Sequence, residues 1–565
     1  MGHSAIRRAL VALFLGTALG ACGVAAQEPD FNRGLEQLQA GLWAQAETTF
    51  ARLVGANPFD GAARLNLAVA LSRRNECGRA IPQLEEAIRL GVNGRRLPGL
   101  SAHFTLAGCL IVGGDTGRGL AHLDTAWRRY GLRDFSIAGE RFARVKASDR
   151  FRAMAGDPGE PIAGRVARWR FDLAYLDRLV RATHPAPFHA MPETDWAAAV
   201  ARIDRDLERL TDDEIIAAVM ALLASVGDGH TALFGPPPGS WRQIPIWPVH
   251  LVDGWYVGAA APAYRSLVGG RILGIGSRSI AAVDSAARRL IAHDNEWTAR
   301  WLAQVPLQTA EFYRLAGVAD PDGAVTVRIE TPAGAERTIS VTPAGFDHDP
   351  ADRWAPAAWP TMVVAGAEVP RWIRYAARPV AIEWMKRERV LYVAVNAVAD
   401  QDDRTFGAVG EQVRDSIIRY RAAGVVLDLR LNNGGNGSLV PSFLAPLVGL
   451  DVFRTRAAVQ VLTGPRTYSA AGFLLNELDR YSEAERVGWP TGVRPVAYGT
   501  ETPFRLPLSG LTGSVATRLE VAGVSADDTR PFFAPRIAVW PTGADVREGR
   551  DPVLEAALAR IKSQP

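Results

Sequence analysis

Six apolar residues in a row, Val390 to Val395, are followed by a helical pattern and then by a second apolar run, Gly424 to Leu429. Between them Phe406, Val409, Val413, Ile417 and Tyr420 recur at the spacing that lines one side of an α-helix. Strand, helix and strand in this order predict a parallel pair joined by a crossover helix over 406–420. This constrains the C-terminal part of the chain to an α/β architecture. The second run ends in Asp428-Leu429-Arg430-Leu431-Asn432-Asn433-Gly434-Gly435-Asn436. Sites form in the loops at the carboxyl ends of parallel strands. Paired glycines let backbone amides approach a ligand with no side chain in the way. A phosphate loop would need a GxGxxG pattern or the Walker lysine-serine pair, and the segment has neither.

A third apolar run, Ala458 to Leu462, also reads as a buried strand, and Gly464-Pro465 breaks it. Ser469 then stands directly before Ala470, Ala471, Phe473, Leu474, Leu475 and Leu478, whose spacing suits a helix with one buried face. Such a serine is ordinarily an N-cap, its oxygen taking a free amide hydrogen. A nucleophile is the alternative. A second candidate stretch is Gly227-Asp228-Gly229-His230-Thr231, which follows a helical pattern over 212–225. The two glycines let the backbone turn sharply. A histidine in such a loop is either a surface residue or a base. His184 reads as a helix-end residue between helical stretches at 168–181 and 195–210.

Most of the remaining chain falls into segments. The 565 residues, 48% hydrophobic and 22% charged, suffice for several globular domains. The net charge is +4, lysine occurs only at Lys146, Lys386 and Lys562, and the arginines are scattered. No basic block supports nucleic-acid binding. Residues 1–26 read as a signal segment: Arg7-Arg8, then an apolar run from Ala9 to Leu19 that is too short to span a bilayer. Leu19-Gly20-Ala21-Cys22 resembles a bacterial lipobox, which makes Cys22 a lipidation candidate and the only membrane attachment expected. Val24-Ala25-Ala26 before Gln27 is the competing cleavage site. Both predict export, to the periplasm or to a lipid-anchored place in the envelope. Cys77 and Cys109 read equally well as a disulfide or as two buried thiols. No cysteine pair has ligand spacing and the histidines form no HExxH cluster, so neither a metal nor another cofactor is expected.

Residues 30–147 read as tetratricopeptide-like helical repeats. Ala46 and Ala80 are one 34-residue period apart, and small residues recur at close-packing positions. Such a stack is either a surface for a protein partner or a structural appendage. A proline- and glycine-marked linker is expected over 148–164, then a helical cap over 165–235 that carries His230. Residues 245–345 read as a β-rich module with a helical insertion at 284–315. Its Gly270-Arg271-Ile272-Leu273-Gly274-Ile275 resembles a PDZ-like pattern, without that module's glycine-containing carboxylate-binding loop. A linker over 351–379 precedes the last domain, 375–565.

Asp428 to Gly435 is similar to the DLRxNxGG signature of the C-terminal-processing, or tail-specific, serine peptidases. Thr467-Tyr468-Ser469-Ala470-Ala471 stands where that family has its nucleophile segment. Gly549-Arg550-Asp551-Pro552-Val553-Leu554-Glu555 matches its usual end. Gly227 to Thr231 resembles the histidine segment of the tricorn-core and retinoid-binding-protein-like branch. The resemblance covers roughly residues 165–560 and implies a crotonase- and Clp-protease-like α/β core in a multidomain α/β protein. It implies hydrolysis of a peptide or protein substrate, with Ser469 as nucleophile and His230 as general base. No lysine lies between Lys386 and Lys562, so a serine–lysine dyad with its lysine soon after the serine is excluded. The amides of Gly435 and Ala470 are the implied oxyanion donors. An acidic residue near the C-terminal end orients the histidine in that branch, and Asp528 is the nearest match, with Asp527 as its rival. Trp489 departs from the pattern, since relatives often have glutamate there. A non-catalytic binder of peptides or lipophilic ligands on the same scaffold, or an esterase, is the alternative.

Overall fold

The computed structural model describes residues 29–92, 101–130, 140–235, 241–320, 323–344, 355–356, 358–523 and 525–563. The expected signal segment and the lipobox candidate at Cys22 lie outside these residues. The chain divides into two compact units. One comprises 1–187, 197–209 and 500–518, and the other comprises 188–196, 210–499 and 519–565.

In the first unit the N-terminal part is helical. The helices Pro29–Gln39, Trp43–Ala56, Gly61–Arg73, Cys77–Arg89, Ala102–Val112 and Thr116–Tyr130 follow one another. Ala46, Ala63, Ala68, Ala80 and Ala87 are wholly buried, so backbones approach closely where the sequence places small residues. Cys77 and Cys109 form a disulfide. The expected linker at 148–164 is half correct, because Asp149–Ala155 forms a helix capped by Ser148, before Gly156 at positive φ ends it. The helix Arg165–Thr183 follows, and His184 ends it, with Nδ1 accepting from the amide of Ala186.

The second unit contains two sheets of six strands. One is antiparallel and includes Ile246–Leu251, Gly254–Ala260, Arg271–Ile275, Val325–Glu330 and Glu336–Val341. Its helical insertion is not continuous. It breaks into Ile280–Arg288, Glu296–Leu302 and Ala310–Leu315, and Asn295 caps the middle piece.

The other sheet carries the candidate site. In chain order its strands are β1 (Val380–Met385), β2 (Val390–Val395), β3 (Gly424–Asp428), β4 (Val459–Thr463), β5 (Glu485–Gly488) and β6 (Ile537–Ala538), and they lie side by side in that order. All pairs are parallel except β1 with β2. The crossover helix α1 spans Phe406–Tyr420, as the apolar spacing predicts. Helix α2 (Ala470–Tyr481) follows β4, and α3 (Pro552–Lys562) closes the chain. The unbroken apolar runs have a physical reason. Leu391, Val393 and Val395 face a core with Phe406, Val413 and Phe443, while Val390, Tyr392 and Ala394 face a second core with Leu554 and Ala557. Side chains alternate between faces along a strand, and both faces of this sheet are covered.

Candidate active site

The loops at the carboxyl ends of β3 and β4 meet. Arg430, just past β3, is 1% exposed at its side chain and binds two carboxylates, Asp428 within its own loop and Asp551 at the start of α3. Its Nη1 and Nη2 donate to Asp551 at 2.8 and 2.9 Å. The hydroxyl of Tyr392 donates to Asp428 at 2.6 Å. The two acids hold the guanidinium firmly in its charged form, its pKa well above the usual value despite burial. Asp428, Arg430 and Asp551 thus tie the loop to the C-terminal helix, which assigns the outer parts of the sequence motif to architecture.

The inner part shapes the turn. The Asn432 side chain donates to Val395 O and accepts from the Gly434 amide, and its backbone carbonyl accepts from the Tyr468 amide at 2.9 Å. Thr467 Oγ1 donates to Leu429 O at 2.8 Å, joining the two loops again. Gly434 has φ 111°, and a Cβ there would stand 2.6 Å from Ser469 Cβ. Gly435 has φ 132°, and a Cβ there would stand 2.2 Å from Val398 O. Only glycine fits both positions. The amides of Gly435 and Ala470 have no acceptor among the described residues.

Ser469 occupies the N-cap position of α2, but its side chain makes no capping bond. Its backbone is at φ 51°, ψ −120°, a conformation unusual for a residue with a Cβ. Holding it there costs about 1–3 kcal/mol, supplied by the surrounding packing. The hydroxyl points instead to His230, whose Nε2 lies 3.2 Å from Ser469 Oγ. The histidine loop follows the helix Asp212–Ala224, which begins with a capping box between Thr211 and Glu214. Asp228 Oδ1 accepts from the amides of His230 and Thr231 at 2.8 and 2.7 Å, which fixes the turn.

Two further residues of this site had no role marked by the sequence, although Tyr468 lies within the nucleophile segment. The Tyr468 hydroxyl lies 3.1 Å from His230 Nδ1, and the two rings stack with centroids 5.1 Å apart and planes 18° apart. Behind them stands Asp294, 8% exposed, whose Oδ1 accepts from the Gly229 amide at 3.0 Å. A Cβ on Gly229 would come 2.1 Å from the Tyr468 hydroxyl and 3.5 Å from Asp294 Oδ2, so hydroxyl and carboxylate share one small space. Burial pushes the Asp294 carboxyl up. His230, the Gly229 amide and the Tyr468 hydroxyl pull against it, although no hydrogen bond of good geometry reaches Oδ2. The next residue, Asn295, anchors this segment by donating to Thr491 O, Gly492 O and Pro531 O.

Asp528, the acid suggested by position in the chain, is engaged elsewhere. Its two oxygens take the guanidinium of Arg530, with Nε at 3.0 Å and Nη2 at 2.6 Å, and that cation holds its pKa below the usual carboxylate value. A partner two residues away wins because it costs little chain ordering. Ser469, His230, Gly435 and Ala470 stand together, while the carboxylate beside the histidine comes from position 294.

No protein-family model matches the chain. Two curated relatives from Mycobacterium tuberculosis, "Putative methyltransferase MT1451" of strain CDC 1551 / Oshkosh and "Putative methyltransferase Rv1407" of strain ATCC 25618 / H37Rv, are each 32% identical over 158 residues. The match takes in 26% of this chain and spans 33% of those proteins' length. Among solved structures, mature CPAF complexed with lactacystin is similar at a TM-score of 0.50 and 14% identity, over 71% of this chain and 99% of that one. A photosystem II D1 C-terminal processing protease matches at a TM-score of 0.31 and 15% identity, over 67% of this chain and 94% of that one. The fold is shared with mature CPAF along nearly the whole of that structure.

Proposed function

We propose that this protein is an exported serine peptidase that cuts peptide bonds through an acyl-enzyme on Ser469. The observation that carries the reading is the 3.2 Å approach of His230 Nε2 to Ser469 Oγ across 239 positions of chain. A serine hydroxyl is a weak nucleophile until a base takes its proton. In this reading His230 Nε2 receives that proton as Oγ attacks the scissile carbonyl carbon, and returns it to the leaving amine. A water then repeats the sequence and releases the acid. The carbonyl oxygen gathers negative charge between the Gly435 and Ala470 amides, beside the N-terminus of α2, whose dipole favours an anion. Each such donor is worth about 3 kcal/mol in the barrier.

Tyr468 and Asp294 are the orienting pair in this scheme. A neutral histidine that accepts at Nε2 carries its hydrogen on Nδ1. The Tyr468 oxygen accepts that hydrogen, and its own hydrogen is directed to Asp294. The export half of the reading rests on residues 1–26 and on the Cys77–Cys109 disulfide, a bond that persists in oxidising compartments. We read the N-terminal helices as tetratricopeptide-like repeats that hold a protein partner, the antiparallel sheet as a PDZ-like insert, and the parallel sheet with its helices as a crotonase-like core.

The test is covalent labelling. A fluorophosphonate probe should modify the wild-type protein and leave Ser469→Ala unlabelled at an unchanged thermal midpoint. Equal labelling of the two proteins would refute the assignment.

A further inference from the structure

A cleft opens at the carboxyl ends of the parallel strands. Six of the chain's fifteen tryptophans line it: Trp247, Trp255, Trp301, Trp372, Trp489 and Trp540. They come from far-apart parts of the sequence, and the fold assembles them. Trp489 stacks on Trp540 with centroids 4.8 Å apart and planes 9° apart, and Trp297 packs on Trp489 at 5.2 Å.

The cleft adjoins the candidate site. Pro465 and Arg466, four and three residues before Ser469, form part of its lining. Trp301 packs against Tyr468, the residue before Ser469, at 6.0 Å.

Its charge selects among ligands. An aromatic cage can serve organic cations, which sit over indole faces. Here that place is taken by the protein's own arginines. The Arg466 guanidinium lies 5.2 Å from the Trp301 ring centroid and that of Arg430 lies 5.5 Å from the Trp372 centroid, while Arg300, also in the lining, stacks at 4.7 Å on Trp297 just outside it. Arg430 also lines the cleft, its charge balanced by Asp428 and Asp551. Among the described residues no aspartate or glutamate lines it. His250 completes a wall beside Trp255, at 5.0 Å. Burial, helped by Arg300 and Arg288, pushes its pKa down to about 4, so it is neutral at neutral pH. A cationic group entering would lose its hydration and meet Arg466 and Arg300 with no carboxylate in the lining to receive it, since Glu296, which pairs with Arg300 at 3.0 Å, lies outside it.

We propose that this cleft is a specificity pocket that takes a large apolar side chain of the peptide substrate, aromatic above all, and rejects lysine and arginine. The proposal rests on the peptidase reading for what the ligand belongs to, but its test reads binding and not turnover. Two blocked hexapeptides, acetyl-AAFAAA-amide and acetyl-AAKAAA-amide, are titrated by calorimetry into the full-length Ser469→Ala protein. The phenylalanine peptide should bind at least about tenfold tighter, as burial of one aromatic ring allows. Trp489→Ala should remove most of that preference while leaving the lysine peptide unaffected. Arg300 is partly exposed, so Arg300→Glu is expected to fold, and it should raise the affinity for the lysine peptide about tenfold. Equal binding of the two peptides, tighter binding of the lysine peptide, or a preference that survives both substitutions would overturn the proposal. Failure of fluorophosphonate labelling with the peptide preference intact would instead sink the peptidase reading alone.

Discussion

The arrangement behind His230 makes a quantitative demand on Tyr468. Tyr468→Phe keeps the ring stack at 5.1 Å and deletes one oxygen, 3.1 Å from Nδ1 of a histidine that is only 8% exposed. A buried polar group that loses its partner costs about 1–3 kcal/mol. If that cost appears in the transition state, kcat falls about 5- to 150-fold, at about 1.4 kcal/mol per tenfold. KM should stay within about twofold, since the lost bond is not to substrate. Asp294→Asn keeps an oxygen for the Gly229 amide and removes only the carboxylate's charge, so its loss in kcat should be smaller, about fivefold. The decisive assay is the double-mutant cycle. If Asp294 acts on His230 through the tyrosine hydroxyl, Asp294→Asn should cost nothing further in the Tyr468→Phe background. Fully additive losses, or a Tyr468→Phe kcat within twofold of wild type, would refute the relay. Stability should move the other way. Burial raises the folded pKa of Asp294, so its contribution is fully present below the ordinary carboxylate value and is lost as pH rises through the raised one. The Asn variant should therefore be more heat-stable than wild type at pH 7 and gain nothing at pH 3.

Three further outcomes are expected. Ser469→Gly should unfold at higher urea than Ser469→Ala, by about 1 kcal/mol, because glycine relieves the strain at φ 51° (about 1–3 kcal/mol) while adding about 0.5–1 kcal/mol of chain entropy; a more stable alanine variant would show the serine to be unstrained. His250, lowered to about 4 by burial, contributes stability above its unfolded value of 6.5 that is lost as pH falls through the folded one. The wild type should lose about 3 kcal/mol relative to His250→Gln between pH 7 and pH 4 in denaturant titrations, and parallel curves would contradict this. Arg430→Met should destabilise by about 3–5 kcal/mol, since Asp428 and Asp551 are then left buried without their cation. In Arg430→Met with Asp428→Asn and Asp551→Asn much of that loss should return, as measured by thermal midpoint.

Much of the core was legible because it rests on short-range periodicity. Val390–Val395 and Phe406–Tyr420 have the bounds the apolar pattern predicts, and β3 and β4 differ by a residue or so. The insertion at 284–315 was misread as one helix because its apolar spacing persists across breaks that Asn295 and Pro306 impose. Asp528 was a misplacement of another kind. Its position in the chain suggested an orienting acid, yet Arg530 two residues on was already a competing partner in plain view.

The sequence by itself determined the strand–helix–strand core, the glycine turn at 434–435 and the short list of groups with the chemistry to react. It could do so because side-chain periodicity and glycine's freedom at positive φ are properties of neighbouring residues. Whether Ser469 caps its helix or offers its hydroxyl was decided only by tertiary structure. That choice depends on a histidine 239 positions away and on a missing Cβ at Gly434. The same holds for Asp294 beside Tyr468 and for the tryptophan cleft. Each is a meeting of segments remote in the chain, and no local pattern encodes which of them the fold will bring together.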